Sequence, residues 1–149
     1  MMSRLRQILL LWLVAVVTCG CSTLHDFAII NSTSESLQVT VSYLNKQEVY
    51  FKLTTAELFQ QSDKRWTDLE ASKIKVDKDR GAFSVEIPPG QALLVKEEIN
   101  YVDHEHETFQ IAKLSFAQGE QTRTLEGKAV QTAFKKQEGL DYALVFEGF

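Results

Sequence analysis

The chain has 149 residues, 44% of them hydrophobic and 24% charged, a size and composition that fit one globular domain. With 16 basic against 20 acidic side chains the net charge is −4, which denies it the cationic excess that a nucleic-acid binder uses to neutralise phosphates. Two Cys exclude a disulfide framework or a Cys-built zinc ribbon, and 7 Gly with 2 Pro exclude a collagen-like or low-complexity chain.

The first twenty residues read as an address. Met1 to Arg6 is short and basic, and Ile8 to Val17 is an unbroken apolar run. As a helix that run rises about 15 Å, half of the ~30 Å hydrocarbon core, so it fits the apolar segment of a signal peptide better than a membrane span. The small residues that follow, Thr18-Cys19-Gly20-Cys21-Ser22, make a junction that resembles the lipobox of bacterial lipoproteins. Gly20 and Cys21 match that pattern. Thr18, where a larger aliphatic residue is usual, and Cys19 depart from it. The resemblance implies that Cys21 becomes an acylated N-terminus, that several acyl chains anchor it stably, and that Ser22 in place of Asp directs it to the outer membrane, facing the periplasm. Ordinary cleavage at the same small residues would instead release a soluble periplasmic protein. The chain divides into a signal peptide (1–20), a lipidated tether (21–26) and one folded domain (27–149).

From residue 26 onward the dominant period is two, the mark of half-buried strands. Phe27–Asn31 opens the series, and the polar turn Asn31-Ser32-Thr33-Ser34 follows. Leu37, Val39, Val41 and Tyr43 alternate with polar residues, and Glu48–Leu53 is a shorter candidate. One helix is expected near 55–61, where Thr54 and Glu57 form a capping box and Leu58 and Phe59 pack inward. Residues 73–77 and 82–87 form a hairpin about Asp77-Lys78-Asp79-Arg80-Gly81, and Pro88-Pro89-Gly90 turns the chain into Ala92–Lys96. Thr108–Ala117 changes apolar parity between Ile111 and Leu114, which calls for two covered faces or a bulge. Ala129–Phe134 and Tyr142–Phe146 complete the set. Turns every 8–15 residues or so predict an all-β fold, a single antiparallel immunoglobulin-like sandwich of about 7–9 strands.

Chemistry is sparse. Asp103-His104-Glu105-His106-Glu107 is the best cluster: His104 and His106 share one side of a strand and offer two imidazoles to a divalent metal, with His25 or a carboxylate as a third ligand. The same pattern also suits a solvated segment rich in charge. No Gly-x-Ser-x-Gly elbow, phosphate loop or dinucleotide fingerprint is present, and the carboxylates at Glu97-Glu98 and Glu120 read as solvated surface. Asn31-Ser32-Thr33 matches an N-glycosylation acceptor but reads as a polar turn. Trp66, in the charged stretch 62–68, is either a plug at one end of the sandwich or an exposed partner contact.

Location without site chemistry predicts a non-enzymatic, membrane-anchored binding or structural module for another envelope protein. No small-molecule substrate or cofactor beyond the lipid on Cys21 is expected, and candidate contacts lie at 62–72 and 97–107. The alternatives are a periplasmic metal-binding lipoprotein using His104 and His106, and an inhibitor of a secreted enzyme.

Overall fold

A computed structural model describes residues 23–45, 57–60, 65–99 and 109–149. The strands are β1 (Leu24–Asn31), β2 (Leu37–Tyr43), β3 (Glu57–Gln60), β4 (Arg65–Asp68), β5 (Lys75–Asp77), β6 (Ala82–Ile87), β7 (Gln91–Ile99), β8 (Ile111–Gln118), β9 (Gln121–Glu126), β10 (Lys135–Gln137) and β11 (Leu140–Phe146). Nine have four residues or more, and β5 and β10 have three. Sheet one runs β10-β11-β1-β7-β3-β4 and sheet two β5-β6-β2-β8-β9. All pairings are antiparallel except that of β1 with β11, where Phe27 lies beside Tyr142 and Asn31 beside Phe146 in parallel register. The fold is an all-β sandwich of a six-stranded and a five-stranded sheet.

Alternation explains the core. In β2 every second residue from Leu37 to Tyr43 is buried, and in β6 Phe83, Val85 and Ile87 face the same interior. Sheet one answers with Phe27 and Ile29 of β1, Leu93 and Val95 of β7, and Tyr142, Leu144 and Phe146 of β11. Phe27 is the hub: it stacks on Tyr142 at 5.0 Å between ring centroids and meets Phe109 and Phe134 edge-on at 5.4 and 5.6 Å. The parity change between Ile111 and Leu114 is a bulge. Tyr43 pairs with Ile111 and Ser42 with Lys113, which leaves Ala112 as the extra residue.

Several expectations are corrected. Residues 57–60 of the expected 55–61 helix are strand β3, hydrogen-bonded between β7 and β4, so pairing with two neighbours overrides the local capping pattern. The α-helix of the described residues, α1, is Lys128–Ala133, where a strand was expected. Its reason lies in Gly127, whose φ of 56° turns the chain out of β9 at a conformation glycine adopts without steric cost. α1 then crosses from the edge of sheet two toward β10 in sheet one and drops one side chain, Val130, into the core. β1 also begins earlier than expected. Leu24, His25 and Asp26 pair with Ile99, Glu98 and Glu97, and their alternation is not apolar enough to show in sequence. Only Ser22 and Thr23 separate Cys21 from that strand.

Candidate functional site

Of the residues singled out from sequence, Cys21, His104 and His106 lie outside the described residues. Trp66 is described and sits in β4, the outermost strand of sheet one, paired with Phe59. The register continues from Phe59 to Ala92, Ile30 and Val145, a row that alternates with those carrying the core residues Leu93, Ile29 and Leu144. His25, the expected third ligand, has its ring edge-on to Tyr142 at 6.0 Å and its Nδ1 3.7 Å from Asp141 Oδ2. That Nδ1 is buried and has no hydrogen-bond partner among the described residues. The same Asp141 oxygen accepts a hydrogen bond from the Asp26 amide at 3.2 Å. Among the described residues no three His, Cys, Asp or Glu gather as a metal ligand set.

The described residues form a groove of about 570 Å³. It lies where the chain leaving β4 wraps around the β5–β6 edge of sheet two. Thr67, Leu69, Glu70, Ser72 and Lys73 form one bank, and Gln38, Lys75, Ser84 and Glu86 form the other, with Pro88 and Gln91 also lining it. Glu70 is held loosely by Lys73 at 3.9 Å and by the Ser72 hydroxyl at 3.5 Å, all exposed. Such contacts between solvated ions stabilise little, so these side chains are free to re-pair with a partner.

The groove opens onto the outer face of sheet two, which the pairing pattern makes mostly polar. Lys75, Ser84, Thr40, Ser115 and Thr124 form one row across all five strands. Within it the Thr40 and Ser84 hydroxyls are 2.7 Å apart, and those of Ser115 and Thr124 3.3 Å. The neighbouring rows carry Glu86, Gln38, Ala117 and Thr122 on one side and the Lys113–Glu126 ion pair, at 2.8 Å, on the other. Amides, hydroxyls and paired charges suit a hydrated, reversible contact.

A second cleft, of about 270 Å³, opens between β9 and β11, floored by Phe116, Leu125, Leu144 and Phe146 and rimmed by Arg123 and Glu147. α1 bounds it with Ala133.

Asn31 has a part that sequence reading missed. Its side chain is fully buried. Nδ2 donates to the Glu35 and Ile87 carbonyls at 2.7 and 2.9 Å, and Oδ1 accepts from the Thr33 amide at 3.1 Å and the Thr33 hydroxyl at 2.8 Å. The Asn31 carbonyl takes the Gly90 amide, and the next residue's amide reaches Phe146. One side chain thus ties β1 to the end of β6 and to the turn before β2, and fixes the end of the sandwich that holds Pro88 and the rim of the groove. Both Nδ2 hydrogens are spent on carbonyls, so the folded Asn31 offers nothing to a glycosylating enzyme. The signal was available: Phe27, Ile29 and Asn31 share one parity, which puts Asn31 on the core face.

Comparison with known proteins finds no matching family model, no matching curated protein and no matching solved structure. Function therefore rests on the chain itself.

Proposed function

We propose that this chain is a lipid-anchored bacterial envelope protein whose sandwich is a non-catalytic contact module for another envelope protein. The observation that carries the proposal is the Gly20-Cys21 junction behind a basic and apolar leader, set two residues before the first strand. Acylation of Cys21 concentrates the domain at a membrane, and a module held there needs only modest affinity for a partner in the same compartment. The contact surface is the flank formed by β4, which carries Trp66, and the adjoining polar groove. Two features support it. Among the described residues β4 ends the strand order of sheet one, the position at which a partner's strand would add. The groove beside it presents Lys73, Lys75, Glu70 and Glu86, enough mixed charge to select a partner without a large apolar interface.

Native mass spectrometry of the protein gently solubilised from its own membranes tests this. The expected result is a mass raised by acyl chains together with a discrete second protein, and Cys21→Ser should remove the acyl mass and release the chain from the membrane fraction. A bare mass with no partner overturns both halves. A stoichiometric divalent metal that disappears in a His104→Ala/His106→Ala variant would replace the contact reading with a metal-binding one.

A further inference from the structure

We propose that the sandwich stands end-on against the bilayer, with Leu24 and Leu44 seated at the boundary between headgroups and acyl chains. The inference deepens the anchored reading and depends on acylation of Cys21.

The length of chain between anchor and fold carries it. Three residue steps separate Cys21 from Leu24, and a fully extended chain covers at most about 10 Å in that distance. The headgroup layer on each side of a bilayer is itself about 5–8 Å thick. An acylated Cys21 has its chains in the hydrocarbon, so even a fully extended tether lifts the first rung of β1 no more than about 5 Å beyond the headgroups. A tether this short keeps the start of β1 beside the bilayer.

The end of the sandwich brought down by that tether is suited to the contact. β1 starts at this end, and β2, running antiparallel to it in the facing sheet, finishes there. The Tyr43 amide donates to the Gly81 carbonyl and the Leu44 amide to the Gln110 carbonyl, which fix the β2 terminus beside the β5–β6 turn and the start of β8. Leu24 is 54% exposed and Leu44 65%, the two most exposed large apolar side chains of the described residues. Lys78 and Arg80 in the adjacent turn are offset by Asp77 and Asp79, so the contact depends on apolar insertion and not on anionic lipid. The turns at Gly90 and Gly119 lie at the opposite end, about 25 Å away along eight residues of β1.

The test uses the acylated full-length protein reconstituted in vesicles of phosphatidylethanolamine and phosphatidylglycerol containing a headgroup-proximal doxyl lipid as quencher. A fluorophore is attached to Leu44→Cys, or in a second preparation to Glu120→Cys in the far turn. Cleavage removes Cys19 and the lipid occupies Cys21, so each label has one target. The expected result is loss of at least half the emission of the Leu44→Cys label, with the Glu120→Cys label unchanged. Equal quenching at both positions, in protein whose mass shows the acyl chains, overturns the end-on arrangement and leaves the anchor standing. A mass without acyl chains overturns the anchor and the arrangement together.

Discussion

At Asn31 four hydrogen bonds converge on one buried amide, and the one to the Ile87 carbonyl is itself buried away from water. Asn31→Ala leaves the Ile87 carbonyl and the Thr33 amide without partners, and we expect a loss of about 3 kcal/mol, read as a lower urea midpoint at unchanged slope. Asn31→Asp should lose nearly as much, because a carboxylate cannot donate to two carbonyls. Tyr43 is a second inter-sheet pin, its buried hydroxyl donating to the Val95 carbonyl at 2.6 Å. Tyr43→Phe should cost about 1 kcal/mol in the same assay, since the core loses no volume. Parity alone places both residues on the core face. Their partners stay hidden from sequence, because Ile87 and Val95 lie more than fifty residues away in the chain.

Among the elements, legibility follows burial. β2 and β6 are read from sequence with their full bounds because one face of each is entirely core. β9, Gln121–Glu126, escapes because it is an edge strand with no fully buried side chain, and an exposed edge has no apolar period to display. α1 misleads for a related reason: in Lys-Ala-Val-Gln-Thr-Ala the single buried side chain, Val130, sets no period. Trp66 illustrates the same limit, since a strand as short as β4 is defined by its hydrogen bonds to β3 and not by its own pattern. The buried ends of these pieces still matter to stability. Val130→Ala should cost roughly 2 kcal/mol by removing two methyl-sized groups from a filled space. Phe27→Ala, which empties the hub shared by Tyr142, Phe109 and Phe134, should cost about 3–5 kcal/mol by thermal or urea unfolding.

Across the whole molecule, the two faces of the sandwich are unlike. Sheet two presents hydroxyl, amide and paired charge, whereas on the outer side of sheet one Ala28, Ala92, Leu94 and Ala143 are all buried. The groove belongs to the polar side, so charge reversal there should disturb binding and spare the fold. For Lys73→Glu/Lys75→Glu we expect at least a tenfold drop in partner recovered from solubilised membranes, with the melting temperature within about 2 °C of the parent, as surface changes usually allow. Recovery equal to the parent would move the contact off this flank. The sandwich class is legible in sequence at this scale because turn spacing and alternation report it directly. The groove is not, since its two banks come from 67–73 and from residues 38, 75 and 84–86, brought together by the fold.

The parallel pairing of β1 with β11 has a consequence for how the protein is born. The Asp26 amide and the Asp141 carboxylate it meets are 115 residues apart, and β1 has no neighbour on that side until the final strand arrives. A chain threaded through a membrane N-terminus first would deliver Leu24 early and Phe146 nearly last. During that interval Phe27 would lack Phe134 and Tyr142, two of the three rings around it, and in a lipid-anchored chain it would wait near the exit. Closing so long a loop is slow, which makes the waiting segment a natural client for a holding chaperone and a target for proteases. Folding would then be timed by the arrival of the last strand, and a chain cut short before Leu140 would be recognised by its unmatched first one.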